Sequence, residues 1–476
     1  MVIARVVDGH LKVVDRMRER VQLALGMDNE GTIAPDAEAR ALACLKRFGQ
    51  RLAETPRSHV RAVGTNTFRR AKNRRAFLRK CEAQLGHDID VLPGSEEARI
   101  LFRGVTHELP TLSGQRLVVD IGGGSTECIL GAGEEAQRMD SLQMGCVTYS
   151  ERFFPDGKIT RDRFRKASLA ARLEIEPVER IYRKADFVEA IGSSGTINAI
   201  DAMIRGRDPS ATGITLAGLK ALRDVAVERG HVDKLDLPGL NPERRTVIMG
   251  GLAVLHGVFK SIDLSRPMRA SRSALREGLL LELVGGLGAE DVRERTVTRM
   301  QERYAVDRDQ ARRVEDTLLQ MATNLSAAWL IGSREFRVLR FAARLHEVGQ
   351  VLSFGGYHRH GAYIVANSDM PGFSEQGQVY ISSLIEAHRR TLSTDKVGQL
   401  RQVDGERALR LAVLLRLAVR INRGRASAPT PQPMLVDKAL VLEFPRGFLD
   451  GNAMTRADLE EEQELLKAAG VEIAFR

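Results

Sequence analysis

Cysteine is scarce, with four in 476 residues. Cys44, Cys81, Cys128 and Cys146 occur singly, without the paired spacing of a zinc site or the density of a disulfide framework, so four reduced thiols are expected. Long apolar runs are lacking too. The longest, 246–259, is interrupted by His256 and falls short of the ~20 residues that a bilayer crossing needs. The opening MVIARVVDGH reads as a strand and turn, with Arg5 and Asp8 breaking any signal-peptide core. A cytoplasmic protein with at most peripheral membrane association is expected. Compositional disorder is excluded by 43% hydrophobic and 28% charged residues. The acidic residues fall short of the basic ones, leaving a net charge of +10. That surplus points to a polyanionic partner, whether nucleic acid, acidic lipid or a phosphate polymer.

The length exceeds what one core organises, so several domains are expected. Up to about residue 285, strand-like and helix-like patterns alternate, the habit of an α/β fold. The next stretch is almost purely helical, with apolar residues at helical spacing over 311–325, 336–351, 379–390 and 406–423. Beyond a Pro-rich linker at 427–434 comes a tail: KALVLEF as a strand, RADLEEEQELLKAAG as a helix stopped by Gly470, and VEIAF as a last strand. The expected domains are 1–110 and 111–285 (α/β), 286–428 (helical) and 429–476 (small α+β).

The two α/β halves echo one another. SHVRAVGTNTFRRA (58–71) and DFVEAIGSSGTINA (186–199) share a strand, a glycine, hydroxyl residues and a helix. The second half precedes this with LVVDIGGGSTECILG, a turn at 132–135 and AQRMDSLQMG. The first half precedes it with VIARV, a turn at Asp8-Gly9 and LKVVDRMRERVQL. By this alignment the counterpart of VVDIGGGS would lie before Met1. A duplicated α/β domain with Gly-rich hairpins is the plan of the actin, sugar-kinase and chaperone-ATPase superfamily, ribonuclease H-like in fold, which binds a phosphate chain between its halves.

Asp120 and the turn Gly122, Gly123, Gly124, Ser125 and Thr126 link two strands. Glycines there let the backbone take positive φ and approach an oxyanion closely, so that successive N–H groups can form an anion-binding nest. Asp120 and Glu127 flank the turn as carboxylates able to hold Mg²⁺; a structural hairpin with solvated acids is the other reading. Gly192, Ser193, Ser194, Gly195 and Thr196 end a strand and open a helix, an anion site or a plain N-cap. Thr65, Asn66 and Arg69 are candidates to donate into the same cleft. Glu97, one turn into a helix, is a candidate general base for water attack on phosphorus, whereas Glu96 suits the helix dipole.

Taken in order, SEEARILFRG (95–104), VVDIGGGSTE (118–127), QMGCV (143–147), IGSSGTINA (191–199), LPGLNPER (237–244) and LREGLL (275–280) resemble the exopolyphosphatase/guanosine-pentaphosphate phosphatase family. The likeness continues through LHEVG (345–349) and HRHGAYIVANSDMPGF (358–373), a segment similar to the long bacterial exopolyphosphatases. The resemblance implies Mg²⁺-dependent hydrolysis of the terminal phosphoanhydride of inorganic polyphosphate, with orthophosphate released. Guanosine pentaphosphate is the alternative substrate, and a monovalent cation is a further possible cofactor. It also implies Glu97 as catalytic residue, Arg69 and both Gly-rich loops on phosphate, and Asp120 and Glu127 near the metal. The long members it resembles are homodimers with a basic channel, which suits polyphosphate rather than nucleic acid as partner.

Two departures stand out. Members usually begin with an Asp-x-Gly-Ser-Asn-Ser loop, and this chain begins just after its expected place. The expectation is therefore weakened turnover, or in a reading of another class a polyphosphate-binding protein. The family's Ser-Asp-x-x-Leu-Arg-Glu-Gly is here Ser271-Arg272-Ser273-Ala274-Leu275-Arg276-Glu277-Gly278. The helical part resembles HD phosphohydrolases, but carries His346-Glu347 and no histidine between His256 and His346, so no metal site is expected there.

Overall fold

The computed structural model describes the chain except residues 8, 9, 20, 22, 24, 25, 29, 108, 111, 112, 286–291 and 438. The turn expected at Asp8-Gly9 lies outside the described residues. The chain divides into two compact units, Met1–Ala289 and Glu290–Arg476.

The first unit opens with an antiparallel hairpin, β1 (Val2–Val7) and β2 (His10–Arg16). Helix α1 (Pro35–Leu52) precedes β3 (Ala62–Gly64), α2 (Asn66–Arg70), α3 (Arg74–Leu85) and β4 (Ile89–Val91), and β3 and β4 pair in parallel. Helix α4 (Gly94–Thr106) leads to β5 (Gln115–Ile121), β6 (Thr126–Ala132) and β7 (Glu135–Leu142). Then come α5 (Cys146–Phe153), α6 (Arg161–Lys184), β8 (Phe187–Ser193), α7 (Gly195–Arg207), α8 (Leu216–Arg229), α9 (Arg245–Ser261), β9 (Met268–Ala270) and α10 (Leu275–Gly285).

The second-half sheet runs β7-β6-β5-β8-β9, with β8 and β9 parallel to β5 and the hairpin strands antiparallel. This is the strand order of an actin-like domain. In the first half, β2-β1 and β3-β4 match β7-β6 and β8-β9, and β5 has no counterpart among the described residues. The repeat read from 58–71 and 186–199 is thus structural, since in each a strand ends at the glycine region and a helix follows. Leu117, Val118 and Val119 are fully buried, as expected of a continuous apolar strand covered on both faces. The apolar run 246–259 is α9, the buried spine of this half.

The second unit is mostly helical: α11 (Val292–Arg303), α12 (Arg308–Trp329), α13 (Ser333–Leu345), α14 (Tyr357–Asn367), α15 (Glu375–Ala387) and α16 (Thr394–Ile421). The helix expected over 336–351 stops at Leu345, and 348–351 forms a 3₁₀ turn. Helix α16 is kinked at Asp404 (φ −154°) and Gly405 (φ 58°), so only its second part matches the expected 406–423. The tail adds β10 (Gln432–Val436), β11 (Ala439–Glu443), α17 (Phe448–Gly451), α18 (Ala453–Lys467) and β12 (Ile473–Phe475). The expected linker is corrected at its end, because 432–434 pairs with β11 as a strand. Leu440, Leu442, Leu459, Leu466 and Ile473 join the same core as the helices. Arg416 on α16 is fully enclosed and pairs with Glu462 of α18, and also donates to the carbonyls of Ala387 (2.5 Å) and Arg390 (2.8 Å).

No helix among the described residues is long and apolar enough to cross a membrane. All four cysteines are free and buried.

Candidate active site

The Gly-rich turn sits between β5 and β6, where Asp120 pairs with Glu127 across the ladder. Gly122 N–H donates to the Ser125 carbonyl (2.9 Å), and the N–H groups of Cys146 and Val147 donate to the carbonyls of Gly122 and Gly123 (2.9 Å each). The turn therefore caps α5, which explains why QMGCV follows it in sequence. The expected positive φ is corrected, since Gly122, Gly123 and Gly124 all lie outside the left-handed region. At Gly124 the reason is close approach, since a Cβ there would lie 2.8 Å from Asn66 Oδ1. The N–H groups of Gly123, Gly124 and Ser125 have no hydrogen-bond partner among the described residues and form the donor face of the turn. The Thr126 side chain does not join that face; its buried hydroxyl donates to the Met144 carbonyl (2.6 Å).

The second loop follows β8. Ser193 pairs with Asp120 across the parallel ladder, and its buried hydroxyl donates to the Ser273 carbonyl (3.2 Å). Thr196 is also buried. Ser194 caps α7 by accepting from Ile197 N–H (3.2 Å), at φ 100° and ψ 160°. A non-glycine residue in that region carries strain of about 1–3 kcal/mol and points to a functional constraint. Gly192 and Gly195 are fixed by contact. A Cβ on Gly195 would collide with the guanidinium of Arg244.

Glu97 projects from the first turn of α4. Arg69 Nη1 donates to Glu97 Oε2 (2.8 Å) and to the Leu92 carbonyl (2.6 Å). The pair is only 15% and 12% exposed. Burial raises the Glu97 carboxyl, while Arg69 and the Thr65 hydroxyl pull it down. Glu96 points elsewhere, buried against Arg99 (2.7 Å), the structural role expected of it. Burial pushes Asp120 up to about 7, with the Ser193 hydroxyl opposing and Glu97 adding to the rise. Burial pushes Glu127 up to about 8, with the charges of Glu97 and Asp120 adding to it.

Asp120 and Glu127 are cross-strand neighbours, and Ser141 lies between Glu127 and the start of the helix that carries Glu97. The three carboxylates thus share one site, which Asn66, Arg69 and both loops also border. Asp120 Oδ1 is buried without a hydrogen-bond partner. Like charges held together in a desolvated site favour a bound cation. Among the described residues no group of three or more His, Cys, Asp or Glu side chains could hold a metal ion by itself. The unpartnered Asp120 oxygen opposite Glu127 suits at most an ion such as Mg²⁺, which keeps waters and takes only one or two carboxylates. Two residues at the site escaped the sequence reading. Arg244 lies in the quoted LPGLNPER segment, but nothing in its spacing aims it at Gly195. Ser141 donates to Glu127 Oε1 (2.9 Å); strand alternation alone would have placed the two side chains on one face.

The Ppx/GppA phosphatase family model matches residues 2–286, and that of Ppx/GppA phosphatase domain III matches 292–463. The chain is 36% identical over 473 residues to the guanosine-5'-triphosphate,3'-diphosphate pyrophosphatase of Aeromonas hydrophila, covering 99% of this chain and 95% of that one. It is 36% identical over 470 residues to the enzyme of that name from Vibrio cholerae, covering 97% and 93%. Among solved structures, an exopolyphosphatase from Cytophaga hutchinsonii matches with TM-score 0.54 and 25% identity over 60% of this chain and 94% of that one. The Aquifex aeolicus PPX-GPPA enzyme matches with TM-score 0.50 and 25% identity, over 59% and 94%. With both its units matched, the chain belongs to the Ppx/GppA phosphatases, hydrolases that act on phosphoanhydrides.

Proposed function

We propose that this chain hydrolyses a phosphoanhydride of guanosine 5'-triphosphate 3'-diphosphate, removing the terminal 5'-phosphate. The observation that carries this reading is the near full-length likeness, at 36% identity, to two proteins of that activity by name. It reverses the order expected from the sequence, where the 358–373 segment and the surplus of basic residues put polyphosphate first. Inorganic polyphosphate stays as the second reading, favoured by the solved exopolyphosphatase and by the net charge of +10. Phosphate release from the nucleotide and from long-chain polyphosphate, compared by kcat/KM on one preparation, tests the order. A higher value for polyphosphate overturns it.

In the proposed mechanism the terminal phosphate docks on the N–H groups of Gly123, Gly124 and Ser125 and on the second loop's backbone. Glu97 takes a proton from the attacking water, its basicity raised by burial and its ionised form kept by Arg69. Arg69 and Arg244 balance the charge on the phosphoryl oxygens. Asp120 and Glu127 would hold Mg²⁺, which when bound offsets the negative charge of the phosphate chain.

A further inference from the structure

We propose that Ser141 is a positioning residue for this site, one that fixes the Glu127 carboxylate for the cation and seats the helix that carries Glu97. The inference rests on the cation reading of Asp120 and Glu127 given above. Ser141 lies on β7 directly opposite Glu127 of β6. A serine hydroxyl has one proton to donate, and here it goes to Glu127 Oε1 at 2.9 Å. Glu127 is itself 1% exposed, so the bond is shielded from bulk water, and the Ser125 hydroxyl is the other side-chain donor at this carboxylate.

On its other side Ser141 meets Gly94, the first residue of α4. A Cβ on Gly94 would stand 2.8 Å from Ser141 Cβ and 3.0 Å from its Oγ, with Arg69 Nη2 at 4.0 Å. One small side chain thus touches the Glu127 strand by a hydrogen bond and the Glu97 helix by van der Waals contact. A larger residue at either position would push the two carboxylates apart. Alanine at 141 would release Glu127 while leaving the packing on Gly94. Hydrogen-bond partners of metal-binding carboxylates typically contribute about 10–100-fold in metal affinity or activity.

The test is direct Mn²⁺ titration of the substrate-free full chain, by electron paramagnetic resonance of the free ion, beside steady-state kinetics at graded Mn²⁺. Ser141→Ala is expected to weaken Mn²⁺ binding by about 10–100-fold, with lost turnover recovered in part as Mn²⁺ is raised. Gly94→Ala, whose Cβ would press on Ser141 and displace the start of the Glu97 helix, is expected to lose turnover that added Mn²⁺ does not recover. Glu127→Gln separates the two levels of the argument. If it leaves Mn²⁺ affinity unchanged, the cation reading itself fails. If it abolishes binding while Ser141→Ala binds like wild type, only the role of Ser141 is overturned. Thermal midpoints of the three variants check folding, and a loss of affinity in Ser141→Ala without a lowered midpoint supports positioning over a structural role.

Discussion

Acid should destabilise the helical unit well before it protonates most carboxylates. His346, His358 and His388 are all buried. The His346 ring stands 5.5 Å from that of His388, which is 6.2 Å from His358. Their tautomers are set locally: Nδ1 of His346 donates to the Ala343 carbonyl (2.6 Å) and Nδ1 of His388 to the Ile385 carbonyl (2.5 Å). Burial lowers all three; Lys396, Arg359, Arg389 and Arg390 add to the effect on His358, bringing it to about 4, and the neighbouring histidines add to it on His388. A folded-state pKa below the unfolded 6.5 has no effect above pH 6.5 and destabilises as pH falls beneath it, because only the unfolded chain takes up protons. Going from pH 7.5 to 5.5, His358 costs about 1.4 kcal/mol, and His346 and His388, both lowered by burial, add in the same direction. Glu315, raised by burial, works in the opposite direction, so a variant is the proper control. The chain's single tryptophan, Trp329, is buried in this unit's core, and its fluorescence reports this unit's melting. The expected drop in midpoint is at least roughly 3–6 °C, with part of it recovered in His358→Gln. A shift under about 3 °C, or the same shift in His358→Gln as in wild type, would refute the reasoning.

Glu97→Gln should lower kcat by about 10²–10⁴ with substrate binding nearly intact, checked by single-turnover phosphate release and a binding titration. Polyphosphate affinity should fall steeply with salt, and that for tripolyphosphate less so, by analogy with counterion release from nucleic acids; equal slopes in fluorescence competition would speak against an extended basic surface. At the strained cap, Ser194→Ala should lose about 1 kcal/mol in urea unfolding, whereas Ser194→Gly should lose nothing or gain, since glycine relieves the strain.

Much of this was legible in the sequence wherever local pattern and tertiary demand coincide. The β5-turn-β6-turn-β7 meander follows from apolar runs punctuated by glycine, and the clustering of Glu97, Arg69 and both loops from motif order. What was not legible depends on contacts remote in sequence. Periodicity carried a helix through 336–351, but the chain breaks at His346, where the ring is drawn inward to a carbonyl. Gln432 and Met434 read as linker because prolines flank them, yet β11 supplies a partner. The glycines at 122–124 were credited with unusual dihedrals, when what excludes a side chain at Gly124 is Asn66, far earlier in the chain. Strand alternation could have paired Ser141 with Glu127, whereas nothing in the spacing around Arg244 aims it at Gly195.

The enclosed guanidinium of Arg416 changes what the end of the chain means for a gene encoding it. A frayed terminus tolerates premature stop codons at little loss. Here a stop anywhere before codon 462 removes the carboxylate facing Arg416 and leaves a charge stranded in a core, a defect of about 3–5 kcal/mol. Selection should therefore purge nonsense alleles that remove Glu462 and the helix α18 that carries it.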